Sequence, residues 1–128
     1  MSDYQRVKLE DVDDWLGDYP GEMRGITYAI GAEQAALTYR RMPQHTGGKG
    51  SYGHRHKTQE EVYVVLSGSL LANLEGEVVE LRPFDALRVP KDTMRGFEGG
   101  PEGAELIAVG APHTGPGDAE VENGWWGD

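Results

Sequence analysis

The chain has 128 residues, a formal net charge of −10 and no cysteine. This length predicts one domain, with a core large enough to be stable without disulfides or a structural metal. The acidic balance argues against binding to nucleic acid or to an anionic membrane surface, because both need clustered Lys and Arg. With no cysteine, no apolar leader and no apolar run of membrane length, the sequence favours a cytoplasmic protein.

Turn residues separate short apolar runs along the chain, which contains 19 glycines and 7 prolines. This rhythm is typical of an all-β sandwich or barrel. The first predicted strands cover residues 25–31 and 35–42, and a glycine-rich loop follows them. The run HRHK begins the next strand. The run EVYVVLSG, residues 61–68, is the strongest strand pattern in the chain, and it ends in a turn.

The second half of the chain continues the same alternation of strands and turns. Residues 69–74 are predicted to return as the hairpin partner of the strong strand, and further strands are predicted over residues 78–81, 86–90, 94–99 and 104–112.

The predicted strands place one barrel domain over residues 25–112. A polar, acidic arm over residues 1–24 precedes it, and a tail over residues 113–128, rich in Gly, Pro and acidic residues, follows it. Trp125 and Trp126 in the tail are candidates to anchor it against the barrel mouth or a dimer seam.

Two histidines and a glutamate form the candidate site. Strand alternation puts His54 and His56 on one face of their strand, and it puts Glu61 and Tyr63 on one face of the next. Neutral imidazoles and a carboxylate suit a divalent metal such as Fe, Mn, Ni, Co or Zn, and the sequence does not choose among these ions.

The spacing of these residues resembles the first motif of the cupin superfamily. That motif consists of a glycine, a His-x-His pair, a glutamate and a turn glycine, which here are Gly48, His54, His56, Glu61 and Gly68. The resemblance implies a cupin jelly-roll β-barrel, also called a double-stranded β-helix, that often dimerises. It also implies that His54, His56 and Glu61, rather than the adjacent Glu60, are the metal ligands.

The second cupin motif is incomplete in this chain. Met94 stands where that motif has a histidine ligand, and Phe84 replaces its glycine. A thioether is a poor substitute for imidazole on a hard or borderline ion. We therefore expect either a three-ligand metal site with open positions or a site that holds metal weakly or not at all.

Four further residues are candidates to line the ligand pocket. Tyr63 shares the face of Glu61, Met94 is expected in the pocket wall, and Arg95 is expected to point to the opposite face. Tyr39 and Arg41 share one strand face, and if that face is inward, Arg41 is placed to bind a substrate carboxylate or phosphate.

Three functions are compatible with this pattern. The first is a metal-dependent enzyme acting on a small organic molecule, for example a dioxygenase, isomerase or lyase. The second is a non-catalytic small-molecule-binding or sensor cupin with an empty or degenerate metal site. The third is a metal-free cupin resembling sugar-nucleotide epimerases, with a histidine base and Tyr63 as acid. A homodimer with a small-molecule ligand as its partner fits all three.

Overall fold

The computed structural model describes residues 4–112 and 118–127. Eight β-strands belong to one curled sheet, so the all-β expectation is confirmed. The helical segments among the described residues are short: a 3₁₀ turn over Leu9–Asp11 and the helix α1 over Ile26–Ile30. The strands are β1 (Glu22–Gly25), β2 (Ala36–Met42), β3 (Gly53–His56), β4 (Glu61–Leu74), β5 (Glu77–Leu81), β6 (Ala86–Val89), β7 (Arg95–Gly110) and β8 (Ala119–Glu122).

The two longest strands, β4 and β7, run antiparallel and organise the rest of the sheet. The first half of β4 also pairs with β6, and its second half pairs with β5. The second half of β7 also pairs with β2, which in turn pairs with β1. The first residue of β7 pairs with β3, and β3 pairs with β8. The start of β4 and the start of β7 therefore hold opposite walls of one interior.

The hairpin expected at residues 68–69 is wrong. Strand β4 continues through Gly68, with register shifts between Val65 and Ser67 and between Gly68 and Leu70. Gly68 has a φ of 72°, and a Cβ on it would lie 2.0 Å from the carbonyl oxygen of Gly103. The glycine is therefore needed for a bulge that bends the strand, and no turn reverses the chain there. Strand β7 is likewise continuous where two separate strands were expected.

The strand expected over residues 25–31 is also wrong, since Ile26–Ile30 form helix α1. Strand β1 ends at Gly25, where a Cβ would lie 2.0 Å from the Trp15 ring. Gly31 ends the helix in the left-handed conformation with a φ of 66°. The local apolar pattern suits either a strand or a helix, and Gly25 and Gly31 decide between the two.

The buried core is formed by side chains of β4 and β7, with contributions from β2, β5 and β6. It contains Met42, Tyr63, Val65, Leu70, Ala72, Leu81, Val89, Phe97, Ala104 and Leu106. Tyr63 and Phe97 pack with their ring centroids 4.8 Å apart. This packing fixes the strands that carry the candidate site, which lies at one end of the same interior.

Both flanking segments contribute structure around the predicted barrel. Strand β1 begins at Glu22, and strand β8 lies within the segment expected as a tail. A Cβ on Gly53 would lie 2.4 Å from the Trp125 ring, so this ring packs directly on β3. The domain limits of 25–112 stay a prediction. Among the helices that the structure describes, none is long and apolar enough to cross a membrane.

Candidate metal centre

The two histidines and the glutamate come together inside the sheet. His54 and His56 lie on β3, which is held between β7 and β8, and Glu61 is the first residue of β4. The Nε2 atom of His56 lies 3.1 Å from Oε1 of Glu61, and Nε2 of His54 lies 3.9 Å from the same oxygen. One donor atom from each residue falls within 4.8 Å of the other two.

A second carboxylate orients one of these histidines. Oδ2 of Asp118 lies 3.0 Å from Nδ1 of His56, and the Asp118 side chain is 1 % exposed. Its other oxygen accepts hydrogen bonds from the backbone N–H and the hydroxyl of Thr58. A carboxylate on the far nitrogen of a histidine fixes the ring and leaves the near nitrogen free for a metal. Asp118 directly precedes β8, whose pairing with β3 holds it beneath His56.

Tyr63 contributes a proton donor to the same group. It is 4 % exposed, and its hydroxyl donates a hydrogen bond of 2.5 Å to Oε1 of Glu61. Burial raises the pKa of Tyr63 well above its usual value, and the nearby Glu61 carboxylate adds to the shift. The phenol therefore keeps its proton and fixes the orientation of the carboxylate.

Arg95 brings a positive charge against the same carboxylate. Its side chain is fully buried, and Nη1 lies 3.8 Å from Oε1 of Glu61. Its Nε and Nη1 have no hydrogen-bond partner among the described residues. The structure thus places Arg95 on the inward face, where we expected it to point away. Met94 is buried, and it does not line the cavity next to His54 and Glu61.

The charges around Glu61 are strongly coupled. Burial alone would raise the pKa of Glu61, but hydrogen bonds from His54, His56 and Tyr63 outweigh it and hold the pKa well below its usual range. Burial alone would lower the pKa of His56, but the Glu61 and Asp118 carboxylates outweigh it and raise the pKa. For His54, burial prevails and the pKa is lowered. In the metal-free protein the two carboxylates on either side of His56 therefore favour its protonated form.

These residues fit a divalent ion. Zinc, for example, binds His nitrogen and carboxylate oxygen at about 2.0–2.2 Å, so its ligand atoms lie close together. The donor atoms of His54, His56 and Glu61 are already near that separation, and Asp118 supplies the supporting carboxylate. Metal binding would displace the proton that His56 shares with Glu61, because a ligating imidazole must be neutral.

A cavity of about 200 Å³ opens on this cluster. Strand β2 presents Thr38 and Arg40 to it, so the inward face of β2 carries the even-numbered residues. Tyr39 and Arg41, the expected pocket residues, do not line this cavity and bond to Glu105 and Glu22 respectively, while Arg41 lines a second, smaller cavity of about 30 Å³. The walls are mainly apolar and consist of Trp15, Met23, Tyr63, Phe97, Leu106 and Ala108, with His54, His56 and Glu61 at one side.

Sequence reasoning missed three polar residues of this region: Asp118, Arg95 and Arg40. The run of Gly, Pro and acidic residues before Asp118 predicts a tail, and nothing local marks one aspartate as a partner of His56. Placing Arg95 and Arg40 inside the barrel requires knowing which face of each strand points inward, since a shift by one residue moves every side chain to the other face. Met42, the last residue of β2, lies in the core. Its apolar side chain was the available signal for which face of β2 points inward.

An all-β sheet curled around a cluster of two histidines and a carboxylate defines the class of barrel proteins with a candidate metal site inside. The model of the cupin domain family matches residues 41–110, more than half of the chain. The chain therefore belongs to the cupin family. No curated protein matches it at a significant level.

Solved cupin structures resemble the chain along most of its length. The polyketide cyclase RemF from Streptomyces resistomycificus is 26% identical with a TM-score of 0.72, covering 93% of this chain and 84% of RemF. A variant of Streptomyces Pac13 with uridine is 17% identical with a TM-score of 0.75, covering 96% and 93%. A cupin protein from Bacteroides fragilis is 21% identical with a TM-score of 0.67, covering 91% and 89%. Pac13 is described as a nucleoside dehydratase.

The raised pKa of His56 predicts the pH dependence of stability in the metal-free protein. The contribution of protonated His56 is fully present below the unfolded pKa of about 6.5 and is lost as pH rises through the higher folded pKa. Urea unfolding at about pH 6 and pH 9 should therefore show a larger loss of stability in the wild type than in His56→Gln. Equal losses in the two proteins would contradict the bridging role of His56. Metal affinity should change in the opposite sense and rise with pH.

Replacing Asp118 should weaken metal binding without removing a ligand. We expect Asp118→Asn to lower the affinity for Zn²⁺ by about 10- to 100-fold, because the His56 ring loses its charged partner. A titration against a chelating indicator measures this change. The matched control is Glu120→Gln on β8, which removes the same charge from a partly exposed ion pair with Arg55. Equal effects of the two substitutions would mean that only overall charge matters.

Proposed function

We propose that this cupin is a metal-dependent enzyme acting on a small organic molecule, with His54, His56 and Glu61 as the metal ligands. One observation carries the proposal: the three donor atoms lie within 4.8 Å of one another, beside a cavity of about 200 Å³. The buried Asp118 on His56 supports it, since such a carboxylate is the usual partner of a ligating imidazole.

A divalent ion at this place would supply Lewis-acid polarisation of a substrate oxygen. The residues of the chain itself prepare the site for this chemistry. Tyr63 keeps its hydroxyl proton and donates it in a hydrogen bond to Oε1 of Glu61. This bond occupies one lone pair of the carboxylate and leaves other lone pairs for an ion. The apolar walls around Phe97 and Leu106 exclude water and so strengthen charge interactions in the cavity.

The activities named for two solved relatives favour an enzyme. RemF is a polyketide cyclase, and Pac13 is a nucleoside dehydratase whose variant was solved with uridine. Both names describe reactions on small organic molecules. At 26% identity RemF is the more similar in sequence of the two, although it does not identify the substrate of this chain.

A non-catalytic binding or sensor protein is the second candidate. The observation that favours it is the guanidinium of Arg95, whose Nη1 lies 3.8 Å from the carboxylate expected to bind metal. A positive charge at that distance opposes a cation at the same place. With only three ligating side chains, such a site would hold its ion weakly, and the cavity would serve binding alone.

Removal of the two imidazoles tests the metal site. We expect wild-type protein loaded with Zn²⁺ to retain about one ion per chain, and the double variant His54→Ala, His56→Ala to retain none while its circular dichroism stays unchanged. The control is His45→Asn, since His45 lies in an exposed loop with a φ of 58°, which Asn tolerates.

The same variants separate the two candidate functions. Equal metal content in the wild type and the double variant would show that the site assignment is wrong. Metal-dependent turnover of small oxygenated substrates, lost in the double variant, supports the enzyme. Binding of such molecules without turnover in the metal-loaded wild type would favour the binding protein.

We also infer that the protein is a homodimer. The outer face of β4 and β7 carries an uncharged apolar patch in which Val62 pairs with Val109, and Val64 pairs with Ile107. Leu66 extends it and is 39% exposed, and Val109 is 36% exposed. A contiguous apolar patch on a sheet face is typical of an interface, and a second copy of the chain would cover it symmetrically.

A charge in this patch should separate the subunits. Leu66→Glu is expected to shift the wild-type dimer to a monomer in sedimentation equilibrium, because the symmetric interface would bury the new carboxylate twice. Val78→Glu is the control, since Val78 is 49% exposed and lies on β5 opposite Asn73, at the other end of β4. A monomeric wild type, or a dimer that both variants keep, would overturn this inference.

A further inference from the structure

One arginine inside the barrel lacks a counter-charge. The arginines on neighbouring strands have carboxylate partners: Arg24 and Arg41 bond to Glu22, and Arg88 bonds to Glu60. No carboxylate lies within ion-pair distance of Arg40 among the described residues. Its Nε is buried and has no hydrogen-bond partner there.

The position of Arg40 is as informative as its missing partner. It lines the cavity beside the metal ligands and also a second chamber of about 30 Å³, so it stands at the junction between the two. His54 and Phe97 are the other residues shared by both chambers. The hydroxyl of Ser51, on the wall of the small chamber, is likewise buried and has no partner in the described part of the chain. Two unused polar groups therefore face the space next to a metal ligand.

An unsatisfied buried donor costs about 1–3 kcal/mol, so a protein retains one where a ligand supplies the missing acceptor. The partner of a single guanidinium that lacks a counter-charge is an anion. A carboxylate fits best because its two oxygens match the planar fork of Arg. The other walls of the large cavity, including Trp15, Phe97 and Leu106, suit an apolar body attached to that carboxylate.

We propose that Arg40 anchors the substrate of this site by its carboxylate, and that the substrate is a small monoanionic acid with an apolar, preferably aromatic, body. The carboxylate lies at the junction of the two chambers, and the body extends toward His54, His56 and Glu61. This assignment of substrate class rests on the proposed function, but the binding by Arg40 does not depend on an ion in the site.

The test uses acids and their uncharged analogues as probes. Isothermal titration calorimetry compares benzoate, phenylacetate and 2-naphthoate with the corresponding amides on the metal-free and the Zn²⁺-loaded wild type. We expect at least one acid to bind, and its amide to bind at least about 10-fold more weakly in both forms. Inorganic phosphate, the other anion that an arginine commonly binds, should not displace the acid.

Substitution of Arg40 and of an arginine outside both chambers assigns the effect to one residue. Arg40→Met should weaken binding of the acid by about 10- to 100-fold, because a charge-assisted hydrogen bond is lost. Arg82→Met, which removes an exposed arginine paired with Glu80 and lining neither chamber, should leave it unchanged. Arg40→Met should also fold stably, since it removes a partly buried guanidinium whose Nε has no partner among the described residues, and the comparison of acid with amide on the wild type does not depend on any variant.

Three results would overturn the proposal: no acid binds at millimolar concentration, the acid and its amide bind alike, or Arg40→Met binds the acid as tightly as the wild type. Displacement by phosphate would overturn the carboxylate assignment. Loss of metal from the proposed site is measured separately in the double histidine variant. The Arg40 result can therefore be interpreted even if the proposed function fails. Arg40→Met should keep the full metal content.

Discussion

The carboxylate of Glu61 is buried inside an apolar barrel, and the surrounding polar groups are arranged to hold it there. Burying an ionised carboxylate costs several kcal/mol unless charge and hydrogen bonds compensate. Tyr63, His56 and Arg95 come from three different strands to supply that compensation. The proton on His56 in turn needs Asp118, which β8 holds beneath the ring. The position of the last strand is thereby tied to a group at the start of β4.

This arrangement has two balanced forms. In the metal-free form a protonated His56 donates from Nε2 to Glu61 and from Nδ1 to Asp118. A divalent ion would take the place of the Nε2 proton, and Asp118 would still accept from Nδ1. Since the same side chains would serve both forms, we expect the barrel to keep its interior when the ion leaves. This differs from small zinc domains, whose fold depends on the metal itself.

The sequence predicts those parts of the structure in which side chains alternate between the two faces of a strand, a pattern visible locally. The all-β fold and the shared face of His54 and His56 follow from strand alternation, and so does the pairing of Glu61 with Tyr63. The errors arise where tertiary contacts decide. Gly68 has the local look of a turn, but pairing with β7 carries β4 through it as a bulge.

Strand parity explains why the sequence does not assign the pocket residues. The sequence patterns of β2 and of the start of β7 do not say which face is inward, and one residue of difference exchanges Arg41 for Arg40 and Met94 for Arg95. Asp118 lies outside any such pattern, because only the pairing of β8 with β3 brings it to His56. Each missed residue is polar, and two of them, Arg95 and Asp118, are buried, a kind of burial that is set by the whole fold.

The inward position of Arg95 changes the balance of charge in the site. Without an ion, Glu61 and Asp118 are matched by Arg95 and protonated His56, and the charge of Arg40 is left over. With a divalent ion in place of the proton, that positive surplus increases. An anionic ligand should therefore bind more tightly to the metal-loaded protein, and by thermodynamic linkage it must strengthen metal binding by the same factor. A site with only three ligating side chains would in this way hold its ion most firmly when its substrate is present.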